Sequence, residues 1–264
     1  MSAIPQPAAD PPIVEMQRNG GIVTLTMNRP AQYNALSEAM IAALDDALTA
    51  VAADDTARVV ILAGAGKAFC AGHDLREMRA SPSLEYYQKL FGQCAKLMLT
   101  IQRMPQPVIA RVHGIATAAG CQLVASCDLA VAAQEAKFAV SGVNLGLFCS
   151  TPSVALSRNL SRKAAFEMLV TGEFVDAATA VERGLINHAV PAEQLDAEID
   201  RIARLIEAKP AVAIAAGKGL FYRQLEMGVD AAYQLAGQTM ACNMMAEPTL
   251  EGVQAFIEKR KPNW

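Results

Sequence analysis

Two strand-to-helix turns are the stretches of this sequence best suited to chemistry on a carbonyl group. In the first, an apolar strand at residues 107–112 passes through small residues into a short helix that starts at Gln122. In the second, a β-branched strand at residues 59–64 passes through glycines to a helix that Asp74 is expected to cap. The first N–H groups of a helix lack partners within the helix and carry the positive end of its dipole. Two such turns could therefore present two N–H groups to one carbonyl oxygen and stabilise a developing oxyanion.

The first turn also has a purely structural explanation. Small residues let a helix pack closely on a sheet, which accounts equally well for the alanines and the glycine within residues 116–120. Considered alone, this turn is better explained by close packing of the helix on the sheet than by a functional site. A second turn of the same kind in one chain shifts the interpretation towards a paired site.

The elements that would position these turns alternate between strands and helices. Two β-rich runs, residues 13–18 and 22–27, flank Asn19 and Gly20 and predict a hairpin. Apolar residues at helical spacing predict a helix after a cap at Ser37. The other predicted helices are at residues 84–102, 161–172, 175–184, 194–208, 211–226, 230–245 and 248–259, with further strands at residues 128–132, 137–140 and 185–190. Alternation of this kind predicts an α/β layer architecture.

The composition indicates a globular chain without a charge-driven partner. Hydrophobic residues make up 53% and charged residues 19% of the 264 residues, which is enough apolar sequence for a sizeable core. The net charge of −3 gives no reason to expect nucleic acid or an anionic membrane as a partner. The apolar runs are too short or too interrupted to span a membrane.

The cysteines and the N-terminal residues bear on the compartment. The six cysteines are scattered, without the paired short spacing of a zinc site, and most of them lie in apolar sequence. Buried free thiols, no bound metal and a cytoplasmic location are therefore expected. Residues 1–12 are rich in Ala and Pro and carry no Arg, so they are expected to form a flexible tail and not a targeting peptide.

Motifs spread over nearly the whole chain resemble those of one family. They lie at residues 28–30, 34–36, 68–75, 118–123, 127–128, 143–146, 169–172 and 256–262. In this order they resemble the crotonase superfamily of enoyl-CoA hydratases and isomerases. Residues 118–122 together with 143–150 look most like the branch called enoyl-CoA hydratase domain-containing protein 3. The resemblance implies an α/β fold with a crotonase-like ββα spiral core at residues 13–205.

The resemblance also implies a C-terminal helical oligomerisation region at residues 206–264. The assembly expected from it is a homotrimer or a dimer of trimers. Met240, Met244 and Met245 lie in this region and fit either a subunit interface or the core of the chain itself.

A site for an acyl-CoA is the functional expectation from the resemblance. The backbone amides of His73 and Ala119 would form the oxyanion hole for the thioester carbonyl. No cofactor is implied beyond the CoA thioester, which is substrate or ligand. The positions that contact CoA in the family correspond here to Arg29, Ala31, Tyr33, Ala35, Ala71, Asp74, Leu75, Arg76, Phe256 and Lys259. Lys259 also fits a solvated basic tail.

Both acids that hydratases of this family use are absent from the matching positions, which hold Gln122 and Gly142. A neutral amide can hold a water molecule but cannot take its proton, and glycine has no side chain. Because one acid or base typically contributes about 10²–10⁴-fold to a rate, hydration by the usual pair is not expected.

Other side chains could supply an acid or a base. The candidates are Cys149 and Ser150 in an uncharged loop, and the imidazole of His73. An inert buried thiol is the favoured alternative for Cys149, and a solvated loop side chain for His73. Asp128 is interpreted as structural.

Three functions are therefore left open by the sequence. The first is an enzyme that binds an acyl-CoA and stabilises its enolate. The second is a non-catalytic acyl-CoA-binding or regulatory protein. The third is a subunit that assembles with an active paralogue.

Overall fold

A computed structural model describes residues 11–80 and 82–264 of the chain. The strands are β1 (Val14–Asn19), β2 (Ile22–Met27), β3 (Val59–Gly64), β4 (Ala68–Cys70), β5 (Val108–Val112), β6 (Ile115–Thr117), β7 (Leu129–Ala133), β8 (Lys137–Ala139), β9 (Val175–Asp176) and β10 (His188–Val190). The helices are α1 (Glu38–Ala52), α2 (Leu75–Ala80), α3 (Leu84–Arg103), α4 (Ala119–Ser126), α5 (Ser150–Asn159), α6 (Arg162–Thr171), α7 (Ala177–Glu182), α8 (Leu195–Glu207), α9 (Ala211–Gln224), α10 (Val229–Met244) and α11 (Glu247–Ile257). The flexible tail predicted at residues 1–12 lies outside the described residues except for residues 11 and 12.

The strands form two sheets, and consecutive strands along the chain alternate between them in the central part of the fold. The six-stranded sheet has the order β1-β2-β3-β5-β7-β10, and the four-stranded sheet has the order β4-β6-β8-β9. From β3 to β8, successive strands enter the larger and the smaller sheet in turn, and each pair is followed by a helix. This repetition confirms the ββα core and the α/β class that the sequence predicted.

Both faces of the larger sheet are buried. On β3, Val60 and Leu62 point into the main core, whereas Val59 and Ile61 point into a second cluster on the opposite face. That second cluster is closed by residues of α8, including Ile199. Burial on both faces explains why the strand reads as a continuous apolar run and not as an alternating one.

Most of the predicted elements are confirmed, but the short strands β4, β6 and β9 were not predicted, and helices α4 and α5 differ from expectation. The hairpin, the long helix α3 and the cap at Ser37, whose Oγ accepts a hydrogen bond from the N–H of Met40 at 3.1 Å, are as expected. Helix α4 begins at Ala119 instead of Gln122, and all of its residues are buried. Helix α5 lies in the stretch predicted as loop and inter-element sequence. The first turn of α5 is polar and has no capping side chain, so the local sequence does not predict a helix here. The helix is stabilised by its packing against α4.

The three methionines of the C-terminal region are exposed in the chain. Met240, Met244 and Met245 have 71%, 41% and 76% of their surface accessible, so the alternative that places them in the core is wrong. The predicted region boundary near residue 205 falls inside α8, and it stays a prediction.

A buried ion pair attaches α9 to the sheet. Lys218 is the only buried residue of α9, and its Nζ donates to the carbonyl oxygens of Ile101 and Gln106 and to Asp128 Oδ2 at 2.7–2.8 Å. Asp128 also accepts from the N–H of Val108 at 2.6 Å and from the hydroxyl of Tyr222 at 2.9 Å. Every partner is structural, so the interpretation of Asp128 agrees with the contacts it makes.

Replacing Lys218 by methionine should destabilise the protein strongly. Lys218→Met leaves the carboxylate of Asp128 buried without its cation, which typically costs about 3–5 kcal/mol. The free energy of unfolding in urea measures this loss. The matched control is Lys67→Met at an exposed lysine, which should change it by no more than about 0.5 kcal/mol. Equal stability of the two variants would contradict a stabilising role for the ion pair between Lys218 and Asp128.

Candidate functional site

The two turns singled out from the sequence touch each other through their backbones. Gly72 has φ +91°, and a Cβ atom there would lie 2.9 Å from the Cβ of Ala118 and 3.3 Å from the amide nitrogen of Ala119. A Cβ at Gly120 would overlap the carbonyl oxygen of Cys70. Only glycine permits both approaches. The N-terminus of α4 therefore packs directly against the chain that leaves β4.

One free amide comes from each turn. The N–H of Leu36 donates to the carbonyl of Gly72 at 2.8 Å, and the N–H of Asp74 donates to the carbonyl of Leu36 at 3.3 Å. Because peptide groups alternate in extended chain, the N–H of His73 faces away from Leu36. Ala119 is the first residue of α4, so its N–H has no acceptor within the helix. Neither amide has an acceptor among the described residues.

Ala118 holds the first turn, between β6 and α4, in an uncommon conformation. Its φ of 50° and ψ of −119° place a residue with a Cβ where glycine is usual. The hydrogen bond from its N–H to the carbonyl of Ala139, 2.9 Å long, fixes that peptide. Strain of this kind typically costs about 1–3 kcal/mol and clusters at functional sites. This strain was not predictable, because the position holds alanine and not the glycine that usually marks a positive φ.

A buried asparagine joins the segment before α1 to the second turn. Asn34 is fully buried, and its Nδ2 donates to the carbonyls of Ala65 and Ala68 at 2.8 Å, while its Oδ1 accepts from the N–H of Arg29 at 3.0 Å. The N–H of Ala71 donates to the carbonyl of Tyr33 at 3.0 Å. The sequence motif contained Asn34, but this clamping role was not predicted from it.

The clamp brings together most of the predicted CoA positions. Asp74 caps α2 by accepting from the N–H groups of Arg76 and Glu77, and its Oδ2 lies 3.6 Å from Nη1 of Arg29. That Nη1 atom is buried and has no hydrogen-bond partner among the described residues. The remaining predicted positions of this group are Ala31 in the 3-10 turn, the exposed Tyr33, the buried Ala35, and Ala71 and Leu75 beside the cap.

Phe256 and Lys259 lie elsewhere in the single chain. Phe256 is 85% exposed on α11, which contacts α10. Lys259 is exposed. Nearer the C-terminus, the indole N–H of Trp264 donates to the carbonyl of Ala208, just after α8, at 3.2 Å. In the part of the chain that the structure describes, none of their hydrogen bonds reaches either turn.

Gln122 lies one helical turn beyond Ala119 with an unsatisfied side chain. It is 4% exposed, and its Oε1 is buried without a hydrogen-bond partner among the described residues. A buried acceptor without a donor typically costs about 1–3 kcal/mol. A bound group with an O–H or N–H would relieve that cost.

The loop at residues 141–150 has no space for a side chain at Gly142. A Cβ there would lie 2.6 Å from the carbonyl oxygen of Leu147 and 2.7 Å from Sγ of Cys149. Burial raises the pKa of the Cys149 thiol, and a backbone hydrogen bond from Gly142 opposes that shift. Ser150 is exposed, and its Oγ donates to the carbonyl of Phe148 at 3.3 Å. Cys149 is thus a neutral thiol at pH 7, and Ser150 has no base beside it among the described residues.

The imidazole of His73 is not a solvated loop side chain, so the alternative favoured from the sequence is wrong. Its Nδ1 lies 3.3 Å from the carbonyl oxygen of Leu36, and its ring packs edge-on against Phe91 with centroids 5.4 Å apart. The Nε2 atom is buried without a partner in the described chain. Burial lowers the pKa of His73 below its usual value, so the ring is neutral at pH 7.

Comparison with known proteins identifies the family of the fold. A family model described as enoyl-CoA hydratase/isomerase matches residues 17–264. The rat enoyl-CoA hydratase domain-containing protein 3, mitochondrial, is 43% identical over 98% of this chain and 86% of its own length. This similarity confirms the branch that the motifs indicated.

Solved structures agree with the sequence comparison. An enoyl-CoA hydratase from Mycobacterium smegmatis superposes with a TM-score of 0.95 at 63% identity, covering 96% of this chain and 99% of that chain. Human enoyl-CoA hydratase domain-containing protein 3 superposes with a TM-score of 0.93 at 42% identity, covering 96% of this chain and 100% of that chain.

The comparisons correct the expected compartment. The rat, mouse, frog and human relatives all carry the word mitochondrial in their names. The expectation of a cytoplasmic location is therefore contradicted. Scattered reduced cysteines, on which that expectation rested, do not distinguish one reducing compartment from another. Among the described residues, none of the helices combines the length and the apolarity needed to cross a membrane.

A methyl group at Gly142 should destabilise the loop. Gly142→Ala forces a Cβ against the carbonyl oxygen of Leu147, and overpacking of this kind typically costs about 1–3 kcal/mol. Thermal unfolding measures the change. Gly92→Ala is the matched control, because the space around Gly92 in α3 is open and alanine should stabilise a helix by about 0.5–1 kcal/mol. An unchanged midpoint of thermal unfolding for Gly142→Ala would contradict this prediction and show that the loop rearranges at no cost in stability.

Proposed function

Because the chain belongs to the enoyl-CoA hydratase/isomerase family, we propose that it binds an acyl-CoA and holds the thioester carbonyl oxygen on the amides of His73 and Ala119. The observation that carries this proposal is the contact between the two turns at Gly72, with one free amide on each side of it. The role of the amides is independent of the side chains of both residues.

Enolate stabilisation is the chemistry that two such donors support best. Loss of a proton from the carbon next to a thioester carbonyl places negative charge on the carbonyl oxygen. Fixed N–H donors at that oxygen need no reorganisation as the charge develops, and removal of one donor typically costs about 10²–10³-fold in rate. The positive end of the α4 dipole acts in the same direction.

The CoA portion of the ligand would lie along the segment clamped by Asn34. The support for this assignment is the buried Nη1 of Arg29, which has no hydrogen-bond partner among the described residues and can donate to a phosphate. Arg76 is exposed at the start of α2 and adds a second cation. Phe256 and Lys259 would reach the ligand of a neighbouring copy.

A homotrimer or a dimer of trimers is the assembly we propose. Its support is the exposed apolar surface of the C-terminal helices, where Phe256, Met240 and Met245 are each more than 70% accessible. Apolar surface of this extent is typical of an interface.

A non-catalytic acyl-CoA-binding protein is the second candidate. The observation that favours it is the neutral character of the positions where hydratases carry acids, which hold Gln122 and Gly142. A pocket of this kind would bind the thioester and release it unchanged.

Removing the amide hydrogen of Ala119 tests the oxyanion site. Ala119 is the first residue of α4, where proline is tolerated, so Ala119→Pro removes the donor without breaking a hydrogen bond of the helix. The affinity for butyryl-CoA should then fall by about 1 kcal/mol, the net contribution of one hydrogen bond, while the affinity for free CoA stays unchanged. Titration calorimetry with both compounds measures the difference. Leu84→Pro at the exposed first position of α3 is the control, and circular dichroism checks the fold of both variants. An unchanged difference between the affinities for butyryl-CoA and free CoA would refute the site.

Restoring one acid separates the two candidate functions. Wild type and Gln122→Glu are incubated with crotonyl-CoA and with a panel of hydroxyacyl and malonyl thioesters, and the products are identified by mass spectrometry. A carboxylate at this buried position should raise hydration of crotonyl-CoA above the wild-type level by about 10²-fold, the lower end for one acid–base group. Gln122→Leu controls for the change in shape. Binding of every thioester by wild type without any product would favour the non-catalytic protein.

A further inference from the structure

We propose that the imidazole of His73 is the base that removes the α-proton of a bound acyl-CoA. The proposal rests on the function proposed above and adds the missing base. It assigns two roles to one residue, since the amide of His73 holds the carbonyl oxygen while its side chain acts on the neighbouring carbon.

The hydrogen bond to Leu36 fixes which nitrogen is basic. A carbonyl oxygen can only accept, so Nδ1, 3.3 Å from it, carries the proton. In the neutral ring Nε2 then has the free lone pair. A backbone carbonyl thus orients the imidazole in the way that a carboxylate orients the base of a catalytic triad.

The free nitrogen is buried and has no partner in the described chain. Nε2 of His73 is one of the buried side-chain atoms without a hydrogen-bond partner, although the other ring nitrogen is satisfied. The ring is held by its edge-on contact with Phe91 of α3, which in turn stacks on Tyr87. A base that is rigid, neutral and unpaired is ready to accept a proton.

Covalent geometry keeps this base near the reacting carbon. The imidazole is separated from its own amide nitrogen only by the Cα and Cβ atoms. The α-carbon of a thioester is directly bonded to the carbonyl carbon whose oxygen that amide would hold. The proposal therefore uses one residue for both tasks, with Nδ1 turned towards the carbonyl of Leu36 and the amide turned away from it.

The other candidates near the turns are unsuited to the role. Both oxygens of Asp74 are engaged, with the cap of α2 and with Arg29. Burial raises the pKa of the Cys149 thiol. The hydroxyl of Ser150 donates to the backbone, and Gln122 has no basic atom.

The step is balanced without a further reactant. Nε2 forms a bond to the proton as the C–H bond breaks, and the electron pair of that bond becomes the enolate, whose charge rests on the carbonyl oxygen. Return of a proton from the imidazolium restores the acyl-CoA. In D₂O the imidazolium exchanges with solvent and returns a deuteron.

Hydrogen exchange of butyryl-CoA in D₂O measures this step alone. Mass spectrometry follows deuterium at the α-carbon, with the rate without protein subtracted. His73→Asn keeps an N–H for Leu36 and the backbone amide but lacks the basic nitrogen. Exchange should fall by about 10²–10⁴-fold, while the affinity for butyryl-CoA in titration calorimetry stays unchanged.

His113→Asn is the matched control. His113 is also half-buried, its Nε2 lies 2.9 Å from the carbonyl of Gly66, and its Nδ1 has no partner in the described chain. Its exchange rate should equal that of wild type. Added imidazole should restore part of the exchange to His73→Ala, which a merely structural role would not allow.

The wild-type pH profile tests the proposal even if the variants fail to fold. Since burial lowers the pKa of His73, exchange per bound thioester should be constant from pH 7 to 9 and should fall only below pH 6.5. The two contacts of the ring, with the carbonyl of Leu36 and with Phe91, are neutral; the nearest titratable groups along the packed elements are Tyr87, which stacks on Phe91, and Asp74, the next residue in the chain. A rate that rises steadily with pH would indicate the Cys149 thiol and overturn the proposal.

The outcomes distinguish the base from the binding site. Tight binding of butyryl-CoA without exchange, or full exchange in His73→Asn, overturns the role of the imidazole and leaves the proposed acyl-CoA site intact. Absence of any butyryl-CoA binding by wild type overturns the proposed function itself.

Discussion

The close approach of two backbone turns is the constraint on which the rest of this structure depends. Gly72 and Gly120 each lie where a side chain would collide with main-chain atoms of the other turn. Both sheets contribute, because β4 and β6 of the smaller sheet lead into the turns while β3 and β5 of the larger sheet deliver the chain to them. The strained backbone of Ala118 is stabilised in this arrangement by the hydrogen bond from its N–H to the carbonyl of Ala139. A site built from main-chain atoms is therefore fixed by the fold as a whole.

Such a site places few demands on the side chains around it. The N–H groups of His73 and Ala119 keep their positions whichever side chains those residues carry. This independence explains how one fold can hold Gln122 and Gly142 at positions where hydratases of the family are expected to carry acids. In this chain Leu147 and Cys149 fill the space beside Gly142. Gln122→Glu alone is therefore expected to restore only part of the activity of a hydratase.

The sequence predicted the elements that carry strong local signals. The hairpin around Gly20, the cap at Ser37 and the helix α3 each have a periodic apolar pattern or a recognisable turn, and each is confirmed. What the sequence could not show depends on packing between distant segments. Helix α5, the strain at Ala118, and the bond between Lys218 and Asp128 all arise from contacts across the fold. The identities of the turn residues were predictable, and the burial of the imidazole of His73 was not.

Burial of that imidazole would have opposite effects before and during the enolisation proposed above. In the resting protein, desolvation lowers the pKa of His73 and keeps the ring neutral, which makes it an available but weak base. When an enolate forms beside it, the imidazolium acquires a close anionic partner in the same water-poor surroundings, where attraction between charges is stronger than in water. The pair then stabilises both charges at once. A carboxylate base in the same place would carry one negative charge before proton transfer and leave one on the enolate after it, so no ion pair would form. A neutral base therefore suits a site whose remaining contribution is to stabilise one negative charge.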